Sequence, residues 1–327
     1  MGAWEFPGGA RFAFTVIDDT DVATVANVAP IYALLEKLGM RTTKTVWPVA
    51  CAEGSRDFSS SETLADAAYR AWVLGLRDRG FEITWHGATM ESSPRDRTVA
   101  ALERYRQLFG RAPHIHVNHA SNRENVYWGS ERVDNRLLKG LVERLSGHPA
   151  GFFQGQTDGS PYFWGDLCRA HMTYARNLTF NDINLASINP SMPYHDPVRP
   201  LVPWWFSSSD ADDVSAFNAL LAPRHLDRLE RDGGFSIVAT HFGKRFVTDG
   251  AVDPVTVERL TDLAGRRGWF PTAGELLDWL RTRRADAALP AREWRRMQWQ
   301  WARDLGSRRW EHSRRRRAAR REAAHGR

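Results

Sequence analysis

Four short apolar runs in this 327-residue chain end in an acid or an imidazole. Arg11–Asp18 runs into Asp18 and Asp19, and Phe81–Trp85 is followed by His86. The run from His114 closes on Asn118 and His119, and Phe235–Thr240 is followed by His241. One carboxylate with several imidazoles is an ordinary ligand set for a divalent cation. A second carboxylate beside it could take a proton from cation-bound water. Each feature alone has a plainer reading: an aspartate pair caps or turns the chain, and a lone histidine satisfies its neighbours. Their recurrence favours chemistry, because α/β folds gather functional side chains at the carboxyl ends of strands.

The elements that must position these residues follow from periodicity. Strand-like runs at Arg11–Asp18, Thr42–Val49, Phe81–Trp85 and His114–Asn118 alternate with helical spacing over Thr24–Leu38, Ser61–Arg79 and Pro94–Phe109. Ser61 is a candidate N-cap, and Gly39 and Gly80 are stops. The order β-α-β-α-β-α-β argues for parallel strands with helical crossovers. Glu131–Leu145, Val214–Arg231, Pro254–Arg267 and Thr272–Arg283 read as further helices, and Phe235–Thr240 as a late strand. Residues 146–210 read as a long irregular insertion with short strands near His171–Ala175 and Asn184–Ile188. Asp21 reads as a cap for the first helix, and Asp210, Asp212 and Asp213 as caps for the helix starting near Val214.

Composition bounds the class. A hydrophobic fraction of 42% supports a sizeable core, and 327 residues suit an α/β barrel with additions. Cys51 and Cys168 are too few for a disulfide framework, and no CxxC pair points to a zinc finger or redox site. The N-terminus lacks the basic and apolar regions of a secretory signal, and no run reaches the length of a membrane span, so a cytoplasmic protein is expected. Residues 291–327 hold thirteen arginines and four acids, a net of +9, so residues 1–290 carry about −3 of the total +6. The barrel unit is therefore assigned to 1–290, with an Arg/Trp-rich tail over 291–327, partly helical and fraying into disorder.

Val16-Ile17-Asp18-Asp19-Thr20 resembles the first motif of the polysaccharide deacetylase family (NodB-homology, carbohydrate esterase 4 type), where the pattern is Thr-Phe-Asp-Asp-Gly. Gly80–Met90, with Trp85-His86-Gly87-Ala88-Thr89-Met90, resembles its second motif, a strand ending in His-(Ser/Thr)-x-x-His. Ile237–His241 resembles its last motif, and Trp269–Leu277 its final strand and helix. The resemblance spans roughly residues 11–283. It implies an α/β fold, a distorted (β/α)7 barrel, here with a long insertion and a basic C-terminal tail. It implies Asp18 as general base, Asp19 and His86 as metal ligands, and His241 as the acid that protonates the leaving amine. The metal, zinc or a similar divalent cation, would polarise an acetamide carbonyl, giving N-deacetylation of an acetamido sugar. The compartment points to an intracellular precursor of a surface polysaccharide.

Two departures shape the reading. Met90 stands where the second ligand histidine belongs, and a thioether is a poor ligand for zinc. His119 is therefore the candidate third ligand; the other reading is that it only lines the pocket. Asn118, Asn122, Asn125 and Trp128 supply amides and an aromatic face suited to a sugar ring, or else pack their own loop. Met90 also favours an alternative, a catalytically inactive barrel that binds a glycan or a partner. A second alternative is binding of nucleic acid or anionic lipid through the tail, where arginines are interleaved with tryptophans.

Overall fold

The computed structural model describes residues 4–57, 60–283 and 289–325. Seven parallel strands close into a ring: β1 (Phe12–Asp18), β2 (Thr43–Val46), β3 (Glu82–Trp85), β4 (Ile115–His116), β5 (Tyr174–Phe180), β6 (Trp204–Asp210) and β7 (Gly234–Thr240). Each pairs with the next, and β7 returns to β1 over its full length, from Phe12 opposite Gly234 to Asp18 opposite Thr240. β1 is buried at every position, which is why its sequence is a continuous apolar run rather than an alternating one. The predicted (β/α)7 barrel is the fold.

Helices α1 (Val25–Lys37), α2 (Ala67–Asp78) and α3 (Arg95–Phe109) connect the first four strands. Thr24 starts α1 with a capping box: its hydroxyl accepts from the Asn27 amide while the Asn27 side chain accepts from the Thr24 amide. Asp21 is thus not the cap. Ser61 is not one either, since α2 begins only at Ala67.

Residues 146–210 are less of an insertion than expected. They hold α5 (Gly165–His171) and two ring strands, β5 and β6, preceded by α4 (Arg136–Ser146). Asn184–Ile188 is not a strand but a single 3-10 turn, in which the Asn184 side chain accepts from the Ala186 amide. The strand signal was weak because β5 carries Arg176 and Asn177 amid its apolar residues. The expected helix Val214–Arg231 is two helices, α6 (Val214–Leu220) and α7 (Pro223–Asp232), because Pro223 cannot continue α6 and instead opens α7.

After β7 come a small antiparallel hairpin of β8 (Val247–Thr248) and β9 (Ala251–Val252), then α8 (Pro254–Ala264). β10 (Gly268–Trp269) pairs with the start of β1, and α9 (Ala273–Thr282) follows. The segment beyond Pro290 forms α10 (Ala291–His325), and its first half is not a free tail. Met297, Gln298, Trp301 and Asp304 are buried against the barrel, while Trp299 and Trp310 stay exposed. Gln298 accepts from the Asp134 amide at 2.8 Å, Glu293 holds Ser191, and Asp304 accepts from the Asn181 amide at 3.0 Å. The side chains of 311–313 and 315–327 lie outside the described residues, and with them most of the arginine run and the fraying expected there. Among the described residues no helix is long and apolar enough to cross a membrane.

Candidate active site

β1 delivers the acids. Beyond it the chain is fixed by the Asp19 amide donating to Thr240 O at 2.8 Å and the Thr20 amide donating to Thr45 Oγ1 at 3.0 Å. Val22 then adopts φ 53°, a left-handed conformation that a β-branched residue rarely accepts. Such strain persists only where surroundings dictate it, and it marks the turn that presents Asp21.

Asp21 is the centre of the site. Its Oδ1 lies 3.1 Å from His86 Nε2, and its Oδ2 lies 3.4 Å from both His119 Nε2 and His241 Nε2. The three imidazoles follow β3, β4 and β7, and the acid they surround is Asp21 rather than the expected Asp19. Burial alone would raise the Asp21 carboxyl, but bonds to the three rings hold it well below the usual range. Burial pushes His119 down, yet Asp21 and the acceptor Asn122 more than offset it and lift His119 to about 9. His241 is likewise raised, by Asp21 and Asp19 against burial. His86, wholly enclosed, is lowered by burial despite both acids.

The rings are held from behind. His119 Nδ1 lies 2.9 Å from Asn122 Oδ1, and His241 Nδ1 lies 2.8 Å from the Asp212 carbonyl. Each therefore donates through Nδ1 and turns Nε2 inward. Trp47, fully buried, packs against both His86 and His119, with ring centroids 4.7 and 5.3 Å away. Gly87 follows His86 at φ 134°, and a Cβ there would press on Trp47 at 3.2 Å.

The two predicted acids do different work from that expected. Asp19 is bound bidentate by Arg176 from β5, at 3.1 and 2.5 Å, and both groups are buried. With both oxygens taken, Asp19 is not placed as a ligand, and Asp21 occupies that position instead. Burial alone would raise the Asp19 carboxyl, but Arg176, His86 and His241 outweigh it and lower it. Asp18 is fully enclosed: Lys44 lies 2.8 Å away, Tyr32 donates at 3.0 Å, and the Phe242 amide donates at 2.8 Å. Enclosed in this way it cannot meet a water molecule, so the general-base role expected of Asp18 does not suit its position. Asp19, 4.0 Å from His241 Nε2, is the acid at the mouth.

The asparagines expected to bind substrate instead build the loop behind His119. Asn118 clamps Val126 by both its amide and its carbonyl, at 3.0 and 3.1 Å. Asn122 donates to Thr89 O, Glu91 O and Glu124 Oε1 while receiving His119. Asn125 donates to His119 O. Trp128 is half-buried, its indole N–H donating to Ala120 O at 3.2 Å. The Met90 thioether accepts from the Ser60 hydroxyl at 2.7 Å.

Sequence reasoning missed Asp21, Arg176 and Asp212. Signals existed for the first two. Asp-Asp-Thr-Asp puts three carboxylates after one strand while Thr24 and Asn27 already supply a cap. A lone arginine inside a buried strand demands a partner. Asp212 carried none, since Asp213 beside it does cap α6, accepting from the Ala216 amide.

The donor set suits a divalent cation in kind: a carboxylate and imidazole nitrogens, each ring oriented from behind. In the described arrangement Asp21 itself sits among the rings. Among the described residues no group of three or more His, Cys, Asp and Glu side chains is spaced to hold a metal ion.

No protein-family model matches the chain, and no curated protein matches it in sequence. Solved structures do. A protein of Mycobacterium smegmatis described as a polysaccharide deacetylase aligns at TM-score 0.50 and 12% identity, covering 88% of this chain and 97% of its own. An allantoinase aligns at TM-score 0.47 and 13% identity, covering 84% and 91%. The chitin deacetylase of Colletotrichum lindemuthianum aligns at 0.40 and 16%, covering 85% and 90%. In fold, the chain is therefore a divergent barrel of the polysaccharide deacetylase type.

Proposed function

We propose that the protein is a metal-dependent amide hydrolase that removes an N-acetyl group from an acetamido sugar. The observation that carries this reading is Asp21 ringed by His86, His119 and His241, with the Arg176-tethered Asp19 at the same mouth of the barrel. Asp21, His86 and His119 supply the donor types for a divalent cation of the zinc class, which would come between Asp21 and the rings it now meets directly. Such an ion supplies Lewis acidity to the acyl carbonyl and to bound water.

The chain's own residues handle protons. Arg176 keeps Asp19 ionised and fixed, and Asp19 would accept a proton from attacking water only through the lone pairs that the guanidinium leaves free. Against the pull of burial, Asp21 and Asp19 raise His241, which favours its protonated form. Its Nδ1 is pinned to Asp212, which leaves Nε2 to hand its proton to the departing nitrogen. The same surroundings thus favour an ionised base and a protonated acid. An intracellular precursor of a surface glycan remains the substrate setting we favour.

The test is purification, metal analysis and acetate release from N-acetylated sugars. Absence of bound divalent metal after loading with zinc, cobalt and manganese ends the reading. A second reading, a barrel that binds without turnover, is favoured by the Asp19–Arg176 pair, which occupies both oxygens of an acid at the mouth. Sugar binding without acetate release from the metal-loaded protein would select it.

A further inference from the structure

Three guanidinium groups gather beside the site, and the acids nearby match only two of them. Arg176 has Asp19, and Arg308, reaching over from α10, has Asp210 at 3.3 Å. Arg132 has no carboxylate within ion-pair distance among the described residues. Its guanidinium lies against the ring of Trp128 at 3.9 Å and that of Trp301, also from α10, at 4.5 Å. Among the described residues its hydrogen bonds go to backbone carbonyls, Nη1 to Asn177 at 3.3 Å and Nε to Gly129 at 3.5 Å. The indole faces and carbonyls stabilise this cation but leave its charge without a counter-ion, which an anion could supply. Burial, with Arg308 and Arg176 nearby, pulls this guanidinium down to about 9.

The position is fastened to the candidate site at two points. Trp128 donates to the carbonyl of Ala120, the residue after His119. Asn177, which accepts from Arg132, follows Arg176. Arg132 and Trp128 are each half-buried, and among the described residues Nη2 of Arg132 makes no hydrogen bond, which leaves it as the donor open to a ligand. A planar guanidinium meets a phosphate or carboxylate through paired N–H donors, which a neutral sugar does not offer.

We propose that Arg132, backed by Trp128 and Trp301, is an anion-binding subsite, and that the acetamido substrate carries a phosphate or carboxylate group that docks there. The sugar part of this statement rests on the deacetylase reading; the anion subsite does not.

The experiment titrates the full-length protein by calorimetry with N-acetylglucosamine 1-phosphate, N-acetylmuramic acid and neutral N-acetylglucosamine, and with inorganic phosphate. Acetate release is measured in parallel. The expected result is an anionic sugar binding at least about tenfold more tightly than the neutral one, the scale of a single charge-assisted contact. Arg132→Gln removes that preference, while Arg132→Lys keeps part of it. The phosphate and carboxylate probes tell the two sources apart. Equal binding of neutral and anionic sugars, no binding of any anionic probe, or a preference unchanged in Arg132→Gln overturns the subsite. The wild-type comparison decides even if Arg132→Gln fails to fold. Anion binding at Arg132 without acetate release sinks the deacetylase reading alone; acetate release without anion preference sinks the subsite alone.

Discussion

Asp21, Asp19 and Asp18 lie within four residues, yet their surroundings give them three different fates. Asp21→Ala is expected to abolish divalent-metal uptake, read by metal analysis after loading. Asp19→Asn is expected to keep the metal but lower acetate release by roughly 10²–10⁴-fold, the range for one general catalyst. Asp18→Asn strands Lys44 in the interior and is expected to cost about 3–5 kcal/mol of stability, read by denaturant unfolding. If Asp18→Asn instead stays fully stable and loses activity, the roles of Asp18 and Asp19 are reversed. The sequence showed that acids and imidazoles belonged together. It did not show which acid faces inward, because that depends on Arg176 and Lys44, which approach from other strands.

His116 gives a pH prediction at the same scale. It is fully enclosed in β4, bonded through Nε2 to Asn118, and burial pulls it down to about 3 from an ordinary 6.5. Protonation is therefore favoured in the unfolded chain first. The His116 contribution to stability is constant above pH 6.5 and falls as pH drops from 6.5 toward 3, by up to about 5 kcal/mol. His116→Gln, which keeps a donor toward Asn118, should flatten that fall in a series of unfolding curves. An unchanged slope would refute the assignment.

Among elements, α10 departs furthest from expectation. Its Trp294, Met297, Trp301 and Leu305 spacing was visible as a helical stripe, and a stripe needs a seat. The seat was invisible because it is made of residues near 134, 181 and 191, far off in sequence. Trp301→Ala should cost about 3–5 kcal/mol, as for other fully buried aromatics. Removing residues 291–327 should therefore lower the melting temperature sharply, whereas removing 311–327 should leave it nearly unchanged. Equal melting of both truncations would show that the docked half contributes nothing. The strands of 146–210 were hard to read for a related reason: their polar residues, Arg176 and Asn177, belong to the site and interrupt the apolar pattern.

Across the whole molecule, the ring is joined by pairing β7 to β1, and the joint runs through the chemistry. The Asp19 amide bonds to Thr240, and the Phe242 amide bonds to Asp18. The barrel was legible from the alternation of strands and helices, whereas this coupling depends on register and was not.

A nascent chain consequently has its carboxylates early and waits for their partners. Asp19 and Asp21 emerge first, but Arg176 arrives only with the fifth strand and His241 only after the seventh. Until Thr240 has been synthesised and zipped against the opening strand, no growing intermediate can hold Asp21 against His241.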